Sequence, residues 1–156
     1  MYAPDHAVIA TPVGGVRVEA SKDELIAISI AQGLAPVAAM TPLLKLAEQQ
    51  LMEWFAGTRT SFDLPLRPTA TPRGEALRAA IASIGYGATM SYGALARATG
   101  SGARAIGQAC ARNPFPIVIP CHRVLAAGGA LGAYSGGDGP VTKQWLLDHE
   151  QRHRLG

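Results

Sequence analysis

Hydrophobic positions along the chain follow two different periods. Residues 7–11 (AVIAT), 16–20 (VRVEA) and 25–30 (LIAISI) are short runs rich in β-branched side chains, separated by the turn signals PVGG and SKD. That pattern predicts an antiparallel meander. From Thr41 and Pro42 the period lengthens: Leu44, Ala47, Leu51, Trp54 and Phe55 recur at three- and four-residue steps, as on one face of an amphipathic helix, and Gly57 closes it. Sheet and helix together predict an N-terminal lobe over residues 1–68. The stretch LPLRPTATPRG, residues 64–74, has three prolines and little periodicity, and predicts a linker.

Beyond it the pattern is helical, over 75–84 (EALRAAIASI), 92–98 (YGALARA) and 103–112 (ARAIGQACAR). The last two segments are joined by TGSG, a tight glycine-containing connection of the helix-turn-helix kind. The expected fold class is therefore α/β. A small lobe of antiparallel strands plus a helix precedes a mostly helical lobe, residues 72–156, that carries a helix-turn-helix and a short strand and loop. In the second helix of the pair, Ile106, Ala109 and Cys110 share the face that packs, and Arg104, Gln108 and Ala111 share the opposite one. A major-groove reader offers several long polar side chains to base edges. This helix offers few, and its small residues, among them Ala105 and Gly107, allow close backbone approach. One arginine on a bare helix fits shape-driven contact in the minor groove, with a side chain inserted into the base stack.

Asn113-Pro114 ends that helix. Ile117, Val118 and Ile119, bracketed by Pro116 and Pro120, then predict a short buried strand that ends at Cys121, His122 and Arg123. A thiol reacts as the thiolate, so a nucleophilic cysteine needs a proton acceptor such as histidine nearby. Neighbours on a strand face opposite ways, so Cys121 and His122 are expected to communicate through a water or a turn. On a final helix begun by Pro140, Glu150 shares the face of Leu146 and Leu147. A carboxylate in a last turn opposes the helix dipole; orienting His122 would account for it, and so would a salt bridge with the tail QRHRLG. Residues 124–139, VLAAGGALGAYSGGDG, predict a hairpin turning at Gly128-Gly129 and a loop that presents Tyr134 and Ser135.

Composition narrows the class. A chain 48% hydrophobic and 16% charged matches globular proteins rather than disordered tails. Its net charge of +3 leans toward anionic partners. No apolar run is long enough to cross a bilayer, and MYAPDHAVIA lacks the order of a signal peptide, so a cytoplasmic protein without membrane contact is expected. Cys110 and Cys121 show no CxxC spacing and no zinc-like cluster. Neither a metal nor a cofactor is expected, and both thiols are expected to be free.

Taken in order and spacing, SYGALA, ARAIGQA, RNPFPIVIPCHRV, GAYSGG and KQWLLDHE closely resemble the O6-alkylguanine-DNA alkyltransferases, over residues 85–151 most strongly. The likeness extends more weakly to TPVGGVRVEAS and LMEWFAGTRTSFDLPL. It implies DNA repair by direct reversal: a damaged guanine is flipped out of the duplex and its O6-alkyl group, with O4-alkylthymine as a further substrate left open, passes once to a cysteine. It also implies the roles. Cys121 would be the acceptor, His122 the water-mediated base and Glu150 the carboxylate that orients it. Tyr92, Val124, Tyr134 and Ser135 would hold the guanine. Arg104 would enter the stack, with Ala105 and Gly107 beside it at the DNA. Asn113 would tie the helix-turn-helix to the cysteine loop, with Pro120 and Arg123 as further supports of the site, Arg123 in a structural ion pair. The partner would be double-stranded DNA, bound in the minor groove with little sequence preference by a monomer, with cooperative packing along DNA left open.

The chain departs from the family pattern in one place. Members read close to TPFQ..VW..L..IPYG where this chain has TPRGEALRAAIASIGYG, residues 71–87, which puts the packing of the first C-terminal helix in question. Competing readings are a damage sensor of the same fold without transfer, a helix-turn-helix regulator and a Cys-His hydrolase. Cys121 argues against the first, the sparse recognition helix against the second, and the lack of an identifiable oxyanion site against the third.

Overall fold

A computed structural model describes residues 5–154. The first four residues, where MYAPDHAVIA begins, and the last two of the QRHRLG tail lie outside them. The chain divides into two compact units, residues 1–67 and 68–156.

In the first unit, β1 (Asp5–Thr11), β2 (Gly14–Ala20) and β3 (Leu25–Ala31) form an antiparallel sheet in the order β1-β2-β3. Alternation does the sorting on β2, where Val16, Val18 and Ala20 are buried and Arg17 and Glu19 pair with each other at 3.0 Å. A bulge between Glu19 and Ala20 shifts the register of β3, which buries Leu25, Ile28 and Ile30. Val37 exchanges two hydrogen bonds with Val8, and Leu25 does the same with Pro65 and Arg67, so the chain leaves this unit as an added edge segment. Helix α1 (Pro42–Ala56) lays Leu44, Ala47, Leu51 and Trp54 inward. Thr41 caps its start, accepting from the Leu44 amide, and Gly57 ends it at φ 81°, a left-handed conformation that glycine adopts without steric cost.

The second unit starts earlier than the proline-rich stretch suggests. Helix α2 runs Pro72–Ala82 rather than 75–84, because Thr71 accepts from the Gly74 amide as its cap and Pro72 sits at the first helical position. Most of the expected linker is therefore either edge segment or helix start. Helices α3 (Tyr92–Thr99) and α4 (Ala103–Ala111) form the helix-turn-helix, with Gly100 in the left-handed conformation between them. Met90–Ser91 (β4) pairs in parallel with Val124–Leu125 (β5), and α5 (Pro140–His153) closes the unit.

Two further expectations are not fully met. Residues 117–119 form no strand: the chain turns at 116–118, and Cys121–Arg123 is a 3-10 turn. Prolines on either side withhold ladder donors, and Asn113 imposes a competing turn. Its Oδ1 accepts from the Phe115 amide and its Nδ2 donates to the Ile119 carbonyl, both at 3.0 Å. The turn drives Ile117 to φ 76°, a conformation costing a β-branched residue roughly 1–3 kcal/mol, and Ile117 holds it while buried. The hairpin at Gly128-Gly129 is also only half realised. The chain does reverse there, at φ 72° and 82°, but the returning residues pair with no strand, and β5 takes β4 as its partner instead.

Candidate active site

Cys121 is buried at the head of its 3-10 turn, 2% exposed. Its Sγ accepts a hydrogen bond from Asn113 Nδ2 at 3.1 Å, the same amide group that holds the Ile119 carbonyl. One side chain thus fixes both the loop and the sulfur. Burial pushes the thiol pKa up, and the Asn113 bond and the charge of Lys143 only partly offset this. At neutral pH the group rests as a thiol and needs a base to react.

His122 is fully buried, and its Nε2 lies 2.7 Å from Glu150 Oε2. Glu150 also accepts from Arg123 Nε at 2.9 Å, Arg123 Nη2 at 2.8 Å and the Gly87 amide at 3.0 Å. Burial alone would raise its pKa; the bonds from His122 and Arg123 outweigh that and hold it down at about 2. An ionised carboxylate can only accept, so Nε2 carries the hydrogen and the imidazole lone pair sits on Nδ1. Burial holds the His122 pKa below its ordinary value, against the opposing pull of Glu150, so the ring is a neutral base near pH 7.

Arg123 proves to be the counter-ion of that same carboxylate. Its Nη1 reaches the Ile84 carbonyl at 2.6 Å and its guanidinium lies over the Tyr86 ring. Ile84, Tyr86 and Gly87 belong to the segment that departs from the family string, yet their backbone and ring atoms complete the Glu150 environment.

A cavity of about 130 Å³ opens at the sulfur, lined by Tyr92, Gly107, Cys110, Ala111, Cys121, Ala133, Tyr134 and Ser135. The helix-turn-helix supplies one wall and the glycine-rich loop the other. The Tyr134 hydroxyl is buried without a hydrogen-bond partner, and burial raises its pKa far above the ordinary value. It is held neutral, with a hydrogen to donate. Burial likewise raises the Tyr92 pKa, and pushes Cys110 up to about 12. Gly107 leaves open space where a Cβ would stand.

The structure thus gathers Tyr92, Tyr134 and Ser135 around Cys121, and joins His122, Arg123 and Glu150 behind it. Pro120 is buried and leads into the 3-10 turn. Val124 is buried but does not line the cavity. Its carbonyl accepts from Lys143 Nζ at 2.7 Å. Arg104 is exposed on α4, with no partner among the described residues; Ala105 is half-buried beside it.

Lys143 is the residue that sequence reasoning passed over. It is fully buried, and its ammonium donates to the carbonyls of Val124, Leu131 and Ala133, so it clamps β5 to the loop that carries Tyr134. The signal was its place three residues before Leu146, on the inward face of α5. Among the described residues no cluster of three or more His, Cys, Asp or Glu could hold a metal, and no helix is long and apolar enough to cross a membrane.

Charge is unevenly shared. Residues 68–156 carry nine Lys or Arg against four Asp or Glu, whereas residues 1–67 carry five against seven. Between 72 and 112, five arginines face a single glutamate.

Comparison with known proteins identifies relatives of the chain. Residues 74–152 match the model of the 6-O-methylguanine DNA methyltransferase DNA binding domain. The constitutive methylated-DNA–protein-cysteine methyltransferase of Bacillus subtilis is 44% identical over 113 residues, covering 71% of this chain and 68% of that protein. That of Methanosarcina acetivorans is 31% identical over 153 residues, covering 93% and 97%. Among solved structures, the O6-methylguanine methyltransferase of Mycobacterium tuberculosis superposes with a TM-score of 0.82 at 30% identity, over 97% of this chain and 94% of that one. The M. tuberculosis protein OGT in complex with DNA gives 0.80 at 34%, over 94% and 92%. With an α/β fold, a DNA-binding domain and full-length relatives in common, the chain belongs to the family of methylated-DNA–protein-cysteine methyltransferases.

Proposed function

We propose that this protein repairs DNA by moving the alkyl group of O6-alkylguanine onto Cys121, once per molecule. One observation carries this reading: a buried sulfur at the floor of a cavity walled by two tyrosines, with a neutral histidine and its carboxylate partner packed behind it. The duplex interior hides the O6 position, so the base is flipped into the cavity. His122 Nδ1 takes the thiol proton through a water. The sulfur attacks the alkyl carbon, the C–O6 bond breaks with its electron pair passing to oxygen, and guanine regains a proton as it leaves. A thioether has no route to hydrolysis here, which makes the reaction stoichiometric.

In this scheme Tyr92, Tyr134 and Ser135 position the guanine, Val124 holds Lys143 through its carbonyl, and Asn113 holds the sulfur. The basic segment 72–112 supports contact with the DNA backbone. The small residues around Arg104, with Ala105 and Gly107 beside it, support minor-groove approach with little sequence preference. Residues 1–68 serve a structural role and residues 72–156 bind DNA and carry the transfer. The protein works as a cytoplasmic monomer, and packing of several copies along DNA is open to measurement.

The test is intact mass after incubation with duplex DNA containing O6-methylguanine. The expected result is one methyl, on Cys121, at no more than one equivalent. Binding to the lesion with no mass gain would mark a sensor, and repeated turnover would mark a different enzyme. In the same assay Arg104→Ala is expected to slow transfer by roughly tenfold or more, since flipping costs a few kcal/mol and this side chain replaces the lost stacking. An unchanged single-turnover rate would remove Arg104 from that role.

A further inference from the structure

Arg73 stands where the family string has phenylalanine, in the first turn of α2. It is exposed, and its Nη2 donates to Ser101 Oγ at 2.8 Å, so α2 delivers a guanidinium onto the turn that joins α3 to α4. Ser101 lies two residues before α4, and Arg104 is in the first turn of that helix. Glu75, the one carboxylate between residues 72 and 112, is engaged elsewhere. It accepts from the Thr69 amide at 2.7 Å and from the Thr69 hydroxyl, and pairs with Arg78 at 3.9 Å. Among the described residues Arg73 is thus held by a neutral hydroxyl with no carboxylate to balance it, next to a turn that leads to Arg104, likewise without a partner there. A guanidinium has five N–H donors in a fixed fork, and Ser101 uses one of them. Ser101 itself, while accepting, retains a hydroxyl hydrogen to donate.

We propose that Arg73 and Ser101 together bind one phosphate of the DNA backbone, an added clamp beside the helix-turn-helix. The proposal rests on the reading of this chain as a DNA repair protein. The fork takes two phosphate oxygens, as guanidinium–phosphate pairs do, and the serine hydroxyl is placed to take a third contact. Such a contact adds affinity without sequence preference.

The experiment is equilibrium binding of the full-length protein to a fluorescein-labelled, undamaged duplex across a salt series, with methyl transfer from an O6-methylguanine duplex measured in parallel. Arg73→Gln is expected to lower the slope of log affinity against log salt by about 0.9, the value of one released counterion. Its affinity deficit at 50 mM salt should therefore shrink by about 3.5-fold at 200 mM. Arg73→Lys, which keeps the charge, should restore the slope. A wild-type slope in Arg73→Gln, with transfer and binding by the wild type intact, overturns the clamp alone. Failure of the wild type to bind duplex or accept a methyl group overturns the underlying reading instead. A slope lowered equally by Gln and Lys would make Arg73 a structural tie and reject it as a phosphate ligand.

Discussion

Cys121→Ala is expected to abolish methyl transfer completely while leaving affinity for duplex DNA unchanged. The substitution removes one sulfur from a site that is 2% exposed. Asn113 Nδ2 keeps the Ile119 carbonyl as its partner, so the loop retains its turn. The arginines of segment 72–112 are untouched. The second thiol offers no rescue although it lines the same cavity. With Cys110 pushed up to about 12 by burial, roughly one molecule in 10⁵ is ionised at neutral pH. Intact mass of the variant after exposure to methylated duplex should show no adduct, and fluorescence anisotropy should give the wild-type affinity. A methyl group recovered on Cys110 would contradict both the acceptor assignment and the electrostatic argument.

Glu150 should give the second large effect, and it separates stability from chemistry. Glu150→Ala leaves Arg123 as a buried cation without its counter-ion, a change that costs about 3–5 kcal/mol. Folded domains of this size have only about 5–15 kcal/mol in hand, so the variant is expected to melt far below the wild type. Glu150→Gln is more informative. Its amide oxygen can still accept from Arg123, but its NH2 group would confront His122 Nε2. The imidazole must then accept at Nε2 and carry its hydrogen on Nδ1, where the lone pair is needed. Single-turnover transfer should fall by about 10²–10⁴, the usual contribution of a general base, under conditions where circular dichroism shows the variant folded. An unchanged rate in folded protein would make Glu150 purely structural.

The same pair sets the acid behaviour of the wild type. The Glu150 pKa is depressed to about 2, so its stabilising contribution is complete above its unfolded value and is lost as pH falls toward 2. His122 is held neutral in the fold, so the unfolded chain binds the extra proton once pH drops below the ordinary histidine value. Both groups make the unfolded state bind more protons, and stability should fall steadily from about pH 6.5 downward.

Much of this was legible in the sequence because it rests on local periodicity. The meander, α1 with its Thr41 and Gly57 ends, and the helix-turn-helix are each set by residues a few positions apart. The turn at 116–118 was not legible, because it depends on an Asn113 side chain capturing backbone groups ahead of it, against the strand preference of three β-branched residues. Cys121 and His122 stood out as a thiol beside an imidazole at the end of an apolar run, and Glu150 as a carboxylate on the inward face of a last helical turn; their roles were implied by the family resemblance. That Arg123 shares this carboxylate with His122, and that Lys143 holds the loop through three carbonyls, are contacts across 27 and 10–19 residues of chain. No periodicity encodes them. The start of α2 was legible in principle from Thr71-Pro72, but three prolines in eight residues masked it.

The tie between His122 and Glu150 also has a consequence in time. His122, the base in the proposed scheme, acquires its tautomer from a side chain 28 residues further along, on the last helix of the unit. Until α5 docks, the imidazole has no fixed orientation and the thiol no dedicated base. In the proposed scheme, therefore, the thiol gains its base only when α5 is in place.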